Sequence, residues 1–333
     1  MKRPAGHTNT ARFIQDLLAC PFCGGLLESR PDQYVCRYCL TTYPIQDEIP
    51  RFLPPLSDAE QQVRRSFNLE HARFQQSRHL HFVPELVDQW LEQIRLPREY
   101  FKGKLVLDAG CGSGRWTYAL ALLGAHVVAV DLTEEGVGIT RRATAGLDNV
   151  AVLQANVMRL PFQPDSFDVV VSWGVLHHTA DTKSAFGRLV PLIKKGGYGY
   201  IMVYEKHNPV KHACTNVVRR ILHYFSEETR YRLCRHLIIW NPLAHLLLKH
   251  LLISETRYKV ADPLDISTKQ LGLYDAYSPA FNHTHTRDEV SSWFVEQGFN
   301  EITLTSPVRF TKWFDVLRWG TCGGLITIRG VRA

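Results

Sequence analysis

No stretch of the 333 residues stays apolar long enough to span a bilayer. No apolar core follows the basic start "MKRPAGHTNT", so a membrane span and a secretory leader are both excluded as expectations. Internal repeats and low-complexity tracts are absent as well, and solenoid or fibrous architectures go with them. What remains, at 45% apolar and 21% charged residues, is a globular composition. Its length suits one large domain with an appendage, or two domains. A soluble, cytoplasmic protein is expected.

Cysteine is not scarce, but its placement is uneven. Four of the eight cysteines stand in two pairs, "CPFC" (Cys20, Cys23) and "CRYC" (Cys36, Cys39). Two such knuckles can aim four sulfurs at one tetrahedral Zn²⁺, a closed and therefore structural site. Disulfides are the alternative, and they sit poorly with a cytoplasmic chain that also carries Cys111, Cys214, Cys234 and Cys322. Residues 15–55 are expected to form a zinc ribbon too small to fold without its metal.

The net charge of +7 is local: residues 206–260 hold ten Lys or Arg against three Glu. That surplus meets solvent, an acidic substrate, nucleic acid or an anionic membrane surface. Prolines 50, 54 and 55 mark a linker, and "DAEQQVRRSFNLEHARF" and "ELVDQWLEQI" read as helices, giving a helical linker or cap over 56–100. From residue 104 short β-rich runs alternate with helical segments. The runs are "KLVLDAG", "AHVVAVD", "NVAVLQAN", "FDVVVSW" and "YGYIMVY". Nearly continuous apolar strands of this kind are buried on both faces of a parallel sheet, so a doubly wound α/β core is expected over 101–205 and 286–333. Residues 206–285 interrupt it with a helical insertion at the ligand-binding edge.

"LDAGCGSG" closes the first of these strands. A glycine-rich turn lets backbone approach a ligand and points helix N–H groups at it. The third glycine of a dinucleotide motif is missing, because Arg115 and Trp116 follow instead. Asp131 ends the second strand, where a carboxylate can accept both hydroxyls of a ribose, whether of NAD or of S-adenosylmethionine.

"LDAGCGSG", "VVAVD", "NVMRLPFQPDSFDVVVSWGVLHH" and "LIKKGGYGYIMVY", in this order, resemble class I S-adenosylmethionine-dependent methyltransferases of the ubiquinone and menaquinone branch. The cysteine module, "SFNLEHARF" and "YDAYSPAFNHTHTRDEV" around that core resemble fusions of a Trm112-like zinc ribbon to such a domain. The resemblance implies a seven-stranded Rossmann-like sheet and S-adenosylmethionine as cofactor. It places Asp108, Gly110, Gly112 and Gly114 at the methionine part, Asp131 at the ribose, and Leu132, Asn156 and Val157 at the adenine. Trp173 and His177 would border the sulfonium. Two departures are visible: Asn156 stands where an acid is usual, and Lys195 where a proline precedes the paired glycines.

A base is needed only if the nucleophile sheds a proton near its attack. His178, Tyr204, His283 and His285 are the candidates. Thr286 with Glu289 also reads as a helix-capping box, which would leave the neighbouring histidines to pack or cap. The insertion is expected to act as a helical lid over a small-molecule, lipid-like or glycan acceptor. The alternatives are an RNA methyltransferase gripping its substrate through ribbon and basic surface, and a non-catalytic scaffold.

Overall fold

The computed structural model describes residues 13–74, 84–206, 209–239, 266–306, 311–313, 316 and 321–333. The N-terminal cysteine module contributes β1 (Leu27–Ser29), β2 (Gln33–Cys36), β3 (Thr42–Gln46) and β4 (Ile49–Phe52). Each pairs antiparallel with the next. The module does not stop there. β4 runs parallel to β7 (Val150–Ala155), with Arg51 opposite Gln154 and Phe52 opposite Ala155. The sheet is therefore eleven-stranded where seven strands were expected, because the ribbon continues it at the β7 edge. Every residue of β7 is buried, and an apolar strand of that kind cannot be left as a bare edge.

The remaining strands are β5 (Leu105–Ala109), β6 (His126–Asp131), β8 (Phe167–Trp173), β9 (Ile193–Tyr204), β10 (Phe299–Leu304) and β11 (Leu325–Arg332). From β7 outward the order is β6-β5-β8-β9-β11-β10. β5 through β9 are parallel and β11 is antiparallel between β9 and β10. The chain leaves β5 toward β6 and β7, then returns to lay β8 on the other side. Such a reversal opens a crevice at the carboxyl ends of the strands.

Two helices precede this core at the boundaries the sequence implies: α1 (Asp58–Phe74) and α2 (Glu85–Ile94). α2 buries Trp90 against Phe101, Trp116 and Tyr200, with ring centroids 5.3–6.4 Å apart. α3 (Arg115–Leu122), α4 (Glu134–Ala143), α5 (Thr182–Leu189) and α9 (Arg287–Glu296) accompany the sheet.

The described parts of 206–285 supply α6 (Pro209–Leu222), α7 (Glu227–Ile239) and α8 (Ile266–Tyr277), and 240–265 lie outside the described residues. These helices share a small core of Leu222, Cys234, Leu273, Tyr274 and Tyr277, against which Leu69 of α1 packs. Two of the basic residues counted there are internal. Arg219 donates to the carbonyls of Ala276 (2.8 Å) and Pro279 (2.6 Å). Arg230 pairs with Glu227 at 2.9 Å and is 7% exposed. Burial lowers the Arg219 guanidinium to about 10, still fully charged at neutral pH. Neither of these cations faces outward.

Candidate active site

The crevice begins at the glycine turn. Gly110, Gly112 and Gly114 all have positive φ, +94°, +52° and +83°. A side chain at Gly110 would collide with Val175, and one at Gly114 would stand 2.8 Å from Thr140 Oγ1. Protein packing beneath the turn thus demands glycine at both positions, besides any ligand above it. At Gly112 the nearest group is the His71 ring of α1, 3.1 Å from a built Cβ. Asp108 lies below the turn, 1% exposed, and accepts from Thr117 Oγ1 at 2.6 Å. Burial, together with the charge of Asp131, pushes its carboxyl up to about 6.

Asp131 closes β6 at the rim. Its Oδ1 accepts from the Thr133 backbone N–H (2.8 Å) and hydroxyl (2.6 Å), and its Oδ2 from the Gly112 N–H (2.9 Å). Thr133 in turn caps α4 through Gly136 N. At the end of β7, Asn156 Oδ1 accepts from the Met158 N–H (2.9 Å), while its Nδ2 donates to Glu60 Oε1 of α1 (2.8 Å). Leu132 is partly exposed and Val157 buried.

Across the crevice, Trp173 ends β8 partly exposed, its ring edge-on to Trp116 at 5.6 Å. His177 has no exposed surface. Its ring lies 3.9 Å from that of Tyr204, and burial, aided by the charges of His178, His285 and His283, drives its pKa well down. It is a neutral wall behind Tyr204 and does not itself border the crevice. His178 turns Nδ1 to the Phe281 carbonyl (3.0 Å) and Nε2 to Asp275 Oδ1 (3.4 Å). A carbonyl only accepts, so Nδ1 carries a hydrogen. Tyr204 donates to the other oxygen of Asp275.

Asp275, on α8, is the residue the sequence did not disclose. Burial opposes its charge, yet His178 beside it, the bond from Tyr204 and the nearby Arg219 hold its carboxyl below the usual range. Glu70 of α1 behaves in the opposite way: burial and the charge of Asp275 push it well above the carboxylate range. The two acids are thus pushed in opposite directions, Glu70 up and Asp275 down. The His283 ring is partly exposed, and its backbone N–H donates to the His177 carbonyl at 2.9 Å. His285 is committed on both ring nitrogens, to Glu289 Oε1 (2.9 Å) and Thr182 Oγ1 (3.0 Å). The capping box of Thr286 and Glu289 forms, so His285 ties α5 to α9 and is the least available of the candidate bases. Sequence signals for the overlooked groups were slight. Glu60 reads only as the capping partner of Ser57, and Asp275 as a lone acid in "YDAYS". A separate groove of about 870 Å³ between the 54–56 linker, α1 and Glu134 contains none of these residues.

In the ribbon, the sulfurs of Cys20, Cys23, Cys36 and Cys39 lie within 4.8 Å of one another. The Cys20–Cys39 and Cys23–Cys36 separations are 3.7 and 3.4 Å. Four thiolates about 2.3 Å from one Zn²⁺ would stand about 3.8 Å apart, whereas a disulfide requires about 2.05 Å. The cluster is compatible with zinc.

Residues 106–197 match the family described as a methyltransferase domain. Over 96 residues the chain is 40% identical to demethylmenaquinone methyltransferase of Clavibacter sepedonicus, covering 28% of this chain and 39% of that one. Over 111 residues it is 31% identical to the Staphylococcus epidermidis protein of the same name, covering 32% and 46%. The chain thus spans less than half the length of these curated relatives. Phospholethanolamine N-methyltransferase 2 of Haemonchus contortus, solved with phosphomonomethylethanolamine and S-adenosylhomocysteine, aligns with a TM-score of 0.50 at 16% identity. That alignment covers 85% of this chain and 62% of the other, and shows a shared fold. The segment from β5 into β9, with its glycine turn, is the part that matches the methyltransferase-domain family.

Proposed function

We propose that this protein transfers the methyl group of S-adenosylmethionine to a small organic, lipid-like or glycan acceptor. One observation carries the reading. The strand-end crevice of the methyltransferase domain joins a glycine turn and rim carboxylate on one side to the acid pair, Tyr204 and Trp173 on the other. The residues fit the cofactor. Asp131 Oδ2 accepts a single bond from Gly112 and retains a lone pair for a ribose hydroxyl. Gly110 and Gly112 are partly exposed and offer backbone to the methionine part, with Asp108 behind them. Leu132 would pack on the adenine, with the Val157 N–H and Asn156 at its edge. When bound, the cofactor supplies an activated methyl on a sulfonium, so the chain has chiefly to align the nucleophile and exclude water.

Tyr204 and His178 hold Asp275 at the crevice, where this carboxylate is 18% exposed and can take a proton from an acceptor. Cys20, Cys23, Cys36 and Cys39 would hold one structural zinc. The helices of 206–285 form the acceptor side as a lid. An RNA acceptor is less well supported, because Arg219 and Arg230 spend their charge inside the insertion. Among the described residues no helix is long and apolar enough to cross a membrane.

Calorimetry with S-adenosylhomocysteine tests the reading. Binding is expected, NAD should not bind, and Asp131→Ala should lose about 1.5–3 kcal/mol per charged hydrogen bond removed. Unchanged affinity in that variant would remove Asp131 from the site. Label from methyl-tritiated cofactor should then partition into the organic-soluble or glycan fraction of a cell extract. Label confined to RNA would refute the acceptor class.

A further inference from the structure

Asn156 occupies the strand-end position where the resemblance expects an acid, and the structure shows a carboxylate placed beside it from elsewhere. Glu60 is the third residue of α1, the helix that crosses the crevice. Its Oε2 accepts from the backbone N–H and the hydroxyl of Ser57, both at 2.8 Å, which caps the helix. Its Oε1 faces the other way and accepts from Asn156 Nδ2 at 2.8 Å. Burial opposes the charge, but the Ser57 and Asn156 bonds and the nearby Arg159 hold the carboxyl below its ordinary range. It is an anion at neutral pH.

The identity of residue 156 and the position of Glu60 depend on each other. An aspartate at 156 would set two carboxylates at hydrogen-bond distance, a repulsion that an amide donor turns into an attraction. Asn156 Oδ1 is already engaged by the Met158 N–H. The stronger acceptor at this end of the crevice is therefore Glu60 Oε1, which keeps a free lone pair.

We infer that Glu60, held in place by Asn156, is the residue that reads the 6-amino group of the cofactor's adenine, and that α1 makes the site selective for 6-aminopurine over 6-oxopurine nucleosides. This rests on the methyltransferase reading above. A 6-amino group donates to the carboxylate in a charge-assisted bond. A 6-oxo group would present oxygen to oxygen and leave a charged acceptor without a partner, the arrangement that rejects an analogue most strongly. The helix cap alone explains Oε2 but not the orientation of Oε1.

The experiment compares S-adenosyl-L-homocysteine with S-inosyl-L-homocysteine by calorimetry on the full chain. Wild-type protein should favour the adenosyl compound by at least about tenfold. Glu60→Gln retains the capping chemistry and should bring the ratio to within about threefold. Glu60→Ala, with folding checked by its melting transition, should do the same. Ser57→Ala breaks the cap without touching Oε1 and should leave the ratio unchanged. If the wild type binds the adenosyl compound without preference, the inference fails and the methyltransferase reading stands. The same holds if both Glu60 variants keep the wild-type ratio. Wild-type protein that binds neither compound overturns both.

Discussion

The ribbon and the helical insertion are both additions to the same sheet, but they are joined to it in different ways. The ribbon enters through backbone: β4 pairs with β7, and Cys20, Tyr34, Cys36, Tyr43 and Phe52 share one apolar core with Leu107, Val128 and Leu153. The insertion has a small core of its own. Among the described residues, its backbone bonds to the sheet side are confined to its last residues, where the His283 N–H meets the His177 carbonyl and the His285 N–H the Tyr204 carbonyl. Its helices reach the rest through side chains, many of them on α1. Ser66 donates to Glu227 at 3.0 Å, and Arg73 reaches both oxygens of Glu228 at 3.0 Å. α1 is then fastened to α4, where Asn68 donates to Glu134 (2.8 Å) and accepts from the Glu135 N–H (3.2 Å). An element sharing a ladder and a core unfolds with its host, whereas one held by side-chain ties can open by itself.

The largest expected effect follows from the ribbon. Metal binding in small modules is folding free energy, and here the folded module completes the main core. Cys36→Ser, or chelation, should cost several kcal/mol and abolish S-adenosylhomocysteine binding in the same transition that melts the sheet. Thermal unfolding with and without chelator, followed by calorimetry, checks it. A chelated protein that keeps a core able to bind cofactor would show the ribbon to be separable after all.

Glu227→Ala probes the other side of the comparison. Glu227 pairs with buried Arg230 and accepts from Tyr274 and Ser278, both at 2.7 Å. Removing it leaves a buried cation uncompensated, at a cost of about 3–5 kcal/mol. The loss should be local. Hydrogen exchange should rise in α6, α7 and α8 while β5 to β9 stay protected and S-adenosylhomocysteine still binds. Global unfolding in step with that exchange would erase the distinction between the two additions.

The sequence showed the ends of α1 and α2, the strand runs, the cysteine cluster and the glycine turn, because each is written in local period or spacing. It did not show that β4 joins β7. That pairing links residue 51 to residue 154 and depends on an exposed sheet edge, for which a short strand carries no signal. Nor did it show Asp275, whose meaning lies in Tyr204 and His178, distant in the chain. Nor did it single out Glu60, whose contact with Asn156 joins residues 96 positions apart. Of the histidines, His177 is buried against Tyr204, and His285 is held by Glu289 and Thr182 beside the capping box that "THTRDE" already spelled out.

The smallest effect concerns the contact where α1 meets the insertion. Glu70 faces Asp275, with His71 on its own helix and Tyr204, His178 and Arg219 arrayed around that aspartate. Burial first, then the charge of Asp275, raises its folded pKa. An acid so raised contributes stability that is fully present below its unfolded value of about 4.3 and is lost as pH rises through the folded value. Glu70→Gln stays neutral throughout and should remove that loss. The stability of the wild type relative to Glu70→Gln should therefore fall with rising pH, by no more than about 1.4 kcal/mol per pH unit. Denaturant titrations from pH 4 to 9 measure it. If α1 is the tie between insertion and core, the same pH rise should increase hydrogen exchange in α8 before any change in β4 or β7. A pH-independent difference between the two proteins would mean that Glu70 is ionised in the folded state and that the acid pair does not exist.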